Sequence, residues 1–133
     1  MSQYYDLGGK TLWNPSNGAS RLFLRQVAVF EEELGVPSGI GPMEADECQV
    51  DAAALEIFVN ALLTRHRSTH HAVMRTLTEG FVITMSVLAE RAGVEVCWEA
   101  PRTVLGDGIR DAERVRASRL REKADELAAF MAR

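Results

Sequence analysis

The apolar positions of this chain change their spacing from one segment to the next, and each change marks an element. Tyr4–Leu7 and Lys10–Trp13 flank Gly8-Gly9, a two-residue glycine connection suited to a tight hairpin turn, so a β-hairpin is expected over residues 4–13. Phe23, Val27, Phe30 and Leu34 then recur at helical spacing and predict a first helix over about residues 15–34. Asn14 and Pro15 supply its start signals, and Gly35 with Pro37 its stop. A second helix is expected over about 51–66, capped by Asp51, stapled by Val50 against Leu55, and buried along Leu55, Phe58, Val59 and Leu62.

With Ser68 or Thr69 as its cap, a third helix over 69–92 keeps the same period through Val73, Leu77, Phe81, Met85 or Leu88, and Ala92. It is apolar on both faces from Phe81 to Ala89, which makes it the central element. Gly80 inside it costs about 1 kcal/mol against alanine and implies that another backbone crosses there. Val94–Glu99 alternates strictly, as a short half-buried strand paired with the hairpin would, and Pro101 ends it. The last helix, about 109–132, aligns Leu120, Ala124, Leu127 and Met131. Residues 35–51 form a connection long enough to be functional or to conceal a short strand near Glu47–Val50. The expected fold is one α+β domain over residues 1–133, predominantly α-helical: about four helices packed with a small antiparallel β element.

Composition narrows the class. The chain has 133 residues, 47% hydrophobic and 26% charged, enough for one core without disulfide or structural metal. Cys48 and Cys97 form no Cys-x-x-Cys pair, and reduced thiols are expected. The N-terminus has neither a basic nor an apolar leader region, which points to the cytoplasm. The apolar run Phe81–Ala89 is interrupted by Thr84 and Ser86, so it reads as core and no membrane partner is expected. A net charge of -4 argues against binding to a phosphate backbone. Arg114, Arg116, Arg119, Arg121 and Lys123 are interleaved with Glu113, Glu122, Asp125 and Glu126 and lack an aromatic platform, so they read as a solvated or partner-facing helix face and not as a nucleic-acid stripe.

Chemistry concentrates at one place. All three histidines, His66, His70 and His71, lie in the stretch Arg65–His71, at the expected turn between the second and third helices. They are the candidate catalytic bases. Arg65, Arg67 and Arg75 would surround the N-terminus of the third helix and form a candidate binding site for an anionic small molecule. These cations would also disfavour imidazolium at His70 and His71. Zinc would need further ligands from Glu44, Asp46, Glu47 or Cys48, and no spacing supports that; no metal and no cofactor are expected. Acidic neighbours would blunt Cys48 as a nucleophile. The glycines between Gly35 and Gly41 lack the Lys-Ser/Thr of a phosphate loop. Trp13, Trp98, Tyr4 and Tyr5 cluster in the β part, as core or as an interface anchor.

Leu12-Trp13-Asn14-Pro15-Ser16, Arg21-Leu22-Phe23, Ser38-Gly39-Ile40-Gly41, Asp46-Glu47-Cys48 and Thr78-Glu79-Gly80-Phe81 resemble a family of small proteins of unknown function from Streptomyces and related actinobacteria. The likeness covers about residues 1–93 and implies a bacterial cytoplasmic source, with no activity or site residue to carry over. Two functions stay open. One is a non-enzymatic protein-interaction module, regulatory or immunity-type, binding a protein partner or itself as a homodimer. The other is a small enzyme or anionic-ligand binder, for example an isomerase or cyclase of specialised metabolism, using the histidine and arginine corner.

Overall fold

The computed structural model describes residues 1–100 and 107–133 and runs β1 (Tyr4–Leu7), β2 (Lys10–Trp13), α1 (Asn17–Leu34), β3 (Glu47–Gln49), α2 (Ala52–Ser68), α3 (Ala72–Arg91) and α4 (Asp107–Ala128). The fold is α+β and mostly helical, as expected. Gly8 supplies the positive φ (59°) that turns β1 into β2. Tyr5 faces Trp13 across this antiparallel pair. The β element is larger than a hairpin, because β3 adds in parallel on the other side of β1, giving the order β2-β1-β3 with Cys48 beside Tyr5.

That third strand accounts for the long connection after α1. Ser38 is buried, and its backbone N–H and Oγ both donate to Glu31 Oε2, at 2.9 and 3.0 Å. Gly39 lies at φ +81°, and a Cβ there would stand 2.5 Å from the Asp51 carbonyl oxygen. No larger residue fits so close to the start of α2. The glycine-rich segment is thus a packed strap that leads the chain from α1 into β3.

The helix starts show where local signals yield to neighbours. Asp51 caps α2 by accepting the Ala54 N–H at 3.2 Å, and Val50 and Leu55 are both buried. Ser16 caps α1 in place of Asn14, accepting from Ala19 N–H. Asn14 is held instead through its N–H to the Ala132 carbonyl at 2.7 Å, and the Pro15 carbonyl accepts from Gln3. Neither Ser68 nor Thr69 is the N-cap of α3. Ser68 Oγ bonds back to the Thr64 carbonyl at 2.9 Å and prolongs α2, so His71 takes the cap position without a side-chain bond.

The core joins the sheet to α1, α2 and the C-terminal half of α3, and α4 closes it with Ala117, Leu120 and Ala124, followed by Met131 just beyond its end. Tyr5, Trp13 and Phe23 pack at centroid distances of 5.2–5.6 Å, and the Tyr5 hydroxyl is satisfied by Ser20 Oγ at 2.7 Å. Arg91 ties three elements together by donating to the carbonyls of Leu12 and Ala128 at 2.8 and 2.9 Å.

Two further expectations are corrected. Residues 94–99 form no strand: Asn60 donates to the Glu95 carbonyl (2.9 Å) and accepts the Cys97 N–H (2.8 Å), while Arg67 donates to the Cys97 carbonyl. Side chains of α2 take the place of a neighbouring strand, although the alternation correctly marks Trp98 as buried. No backbone crosses at Gly80, which is exposed, and a Cβ there would meet nothing within 4 Å. Val73 and Leu77 are 70% and 71% exposed, so the N-terminal half of α3 carries its apolar stripe outside the core. Over its whole length α3 is long and apolar enough to cross a membrane, with a mean hydropathy of 1.3, yet Phe81–Val87 holds up the centre of the fold.

Candidate functional site

The α2–α3 connection is the short turn expected, with Thr69–His71 between the helices. It does not gather the three histidines. His70 is exposed and borders none of the cavities described below. His71 is exposed at the mouth of a groove, and His66, only 8% exposed, lies beneath it. The acidic segment is on the far side of the fold, where the Asp46 carbonyl accepts from Tyr4 N–H at 2.8 Å. Cys48 is buried there, donating to the Gly41 carbonyl, and burial pushes its thiol up to about 11, against thiolate chemistry. Among the described residues, no group of three or more His, Cys, Asp or Glu is placed to hold a metal.

The groove has a simple origin. α1 and α3 meet at Phe30 and Phe81, whose rings stack at 4.4 Å. Beyond that stack a cavity of about 380 Å³ lies between Val29, Phe30 and Leu34 of α1 and Met74 and Leu77 of α3, floored by Leu62 and His66 of α2. Its walls are apolar and its rim is charged. Arg65 pairs with Glu33 at 3.3 Å on the rim, both about half exposed.

Arg67 turns the other way. Its guanidinium meets Glu113 of α4 at 3.3 Å, with both side chains nearly buried, and so helps to fasten α2 to α4. Of the three arginines singled out by the sequence, Arg75 alone borders a cleft on that side, and the cleft was not visible in the sequence. Arg75, Thr76 and Glu79 of α3 face Arg116, Arg119 and Lys123 of α4 across about 240 Å³, with His66 at the inner wall. The spacing of Arg116, Arg119 and Lys123 places them on one helix face, but nothing local tells which helix that face meets.

His66 is therefore the wall between an apolar groove and a basic cleft. Its Nε2 is buried without a hydrogen-bond partner among the described residues. Burial holds its proton affinity below the ordinary imidazole value; Glu79 and the Arg75 backbone oppose this, while the charges of Arg75 and Arg116 add to it. A neutral ring results, and a cavity of about 20 Å³ beside it has room for one water.

Architecture and site together define a helical α+β protein in which, among the described residues, an apolar groove and a basic cleft share a histidine. The chain belongs to a family of unknown function, DUF6086, whose model matches residues 1–133. No curated protein matches the chain, and no solved structure does.

Proposed function

We propose that the chain is a non-enzymatic interaction module that pairs with a second copy of itself through the face containing the α1–α3 groove. The observation that carries this reading is the apolar surface on both sides of the groove. Val73 and Leu77 are 70% and 71% exposed on α3, and Leu22 and Val29, seven residues apart on α1, are 61% and 55% exposed. Single exposed apolar side chains are ordinary, but exposed apolar side chains on both helices that wall an apolar groove mark a contact surface.

A second copy suits this face because ridge and groove lie together on it. A two-fold axis sets the Val73–Leu77 ridge of each copy against the groove of the other, the self-complementary arrangement of an isologous dimer. The rim raises no charge barrier to this pairing: Glu33 and Arg65 already neutralise each other at 3.3 Å, so like copies meet there without net repulsion. The histidines favour this reading over acid–base catalysis, since His70 stands apart and His66 is enclosed.

Light scattering on the size-fractionated protein tests it. The wild type is expected at twice the chain mass of 14.7 kDa, and Leu77→Asp at the single-chain mass with an unchanged helical spectrum. A wild type that stays monomeric at every concentration, or a Leu77→Asp dimer, overturns the proposal.

A further inference from the structure

We propose that the cleft between α3 and α4 is a binding site for a phosphate-monoester dianion, held by Arg75, Arg116 and Arg119, with Lys123 at its edge. The charges of this cleft do not balance internally. It brings four cations together with one carboxylate, Glu79, and Glu79 is already paired with Lys123 at 3.1 Å. Glu113, the next carboxylate inward, is taken by Arg67 at 3.3 Å. Among the described residues, no carboxylate lies within ion-pair distance of Arg75, Arg116 or Arg119. Like charges facing each other on packed helices destabilise the contact unless an anion lies between them. The chain as a whole carries -4, so this concentration of positive charge runs against its average.

A second observation comes from the inner wall. His66 is 8% exposed, borders the cleft, and keeps an unpartnered Nε2. The water-sized cavity beside the ring can supply that partner, so His66 bounds the cleft as an uncharged wall and adds no further cation to it. The anion class follows from the donors. Guanidinium groups are planar forks suited to oxygens held in pairs, and three of them around about 240 Å³ match the charge and the several acceptor oxygens of a phosphate ester. A single carboxylate would leave most of that donor capacity unused. The Thr76 hydroxyl, already donating to the Ala72 carbonyl at 2.9 Å, can still accept from an ester hydroxyl.

The site is independent of self-association, because it lies on the α4 side of His66 and the groove on the α1 side. The test is a titration of the full-length protein at low ionic strength, followed by NMR, with inorganic phosphate, glycerol 3-phosphate and acetate as separate probes. Saturable shifts are expected at residues 75–79 and 116–123 and at the His66 ring, with His70 unmoved. Glycerol 3-phosphate is expected to bind at least as tightly as inorganic phosphate, and acetate far more weakly. Arg119→Gln and Arg116→Gln should each weaken phosphate binding about tenfold. Arg119 is exposed, so its replacement keeps the test valid if Arg116→Gln does not fold. In the absence of phosphate, Arg116→Gln should melt no lower than the wild type, since repulsion is relieved. Absent shifts, equal response to acetate, exclusion of the ester, or unchanged affinity in Arg119→Gln would each overturn the site.

Discussion

The two halves of α3 continue one helical apolar stripe, with four apolar residues of nine over Ala72–Gly80 and seven of nine over Phe81–Ala89, and their surroundings are opposite. From Phe81 to Ala89 every residue except Thr84 is buried, and the segment meets α2, α4 and the sheet. From Ala72 to Gly80 the same helix leaves Val73, Met74 and Leu77 exposed, with the groove on one side and the basic cleft on the other. Gly80 marks the border. The contrast teaches that helical periodicity reports which positions are apolar, and that burial depends on whether a neighbouring element reaches them. The C-terminal half has such neighbours within the chain; for the N-terminal half, the proposed second copy would supply them.

Substitution within each half should separate the two roles. Leu88→Ala, at a fully buried position, is expected to lower the unfolding free energy by about 2–5 kcal/mol in urea denaturation. A loss under 1 kcal/mol would contradict the core assignment. At the border, Gly80→Ala is expected to raise stability by about 1 kcal/mol, because the added Cβ meets nothing and alanine favours the helix. A decrease would mean that something does approach Gly80. Leu77→Ala should change monomer stability by no more than about 0.5 kcal/mol, the range of an ordinary surface site. An effect as large as that at Leu88 would erase the difference between the halves.

The floor beneath the N-terminal half offers a pH test. The folded state depresses the proton affinity of His66 below the ordinary value of 6.5, so the unfolded chain takes up this proton first as pH falls. Stability from the neutral ring is present above about 6.5 and is lost progressively below it, down to the lower folded value. His66→Gln should flatten the stability–pH curve in that window. A curve of equal slope in both proteins would place the dependence elsewhere.

Much of the fold was legible in the sequence because its determinants are local. The Gly8-Gly9 turn, the stripe from Phe23 to Leu34 and the Asp51 cap each depend on residues within a few positions of one another. Other features depend on contacts between distant residues. Val94–Trp98 has the alternation of a strand, but the side chain of Asn60, more than thirty positions earlier, takes its backbone groups. β3 was legible as an extended segment, whereas its parallel place beside β1 requires the path of α1 to be known. At the candidate site, the turn that carries His66 and His71 could be read from sequence. The separation of His70, the pairing of Arg65 and Arg67 with Glu33 and Glu113, and the approach of α4 to Arg75 could not, since each joins helices that share no local signal.

The central claim is that the exposed half of α3 is covered by a second copy of the chain. Hydrogen–deuterium exchange measured at low and high protein concentration tests it most directly. The account predicts that peptides covering residues 72–80 and 29–34 become protected as concentration rises, while 81–91 exchanges slowly throughout. Concentration-independent exchange at 72–80 would contradict it.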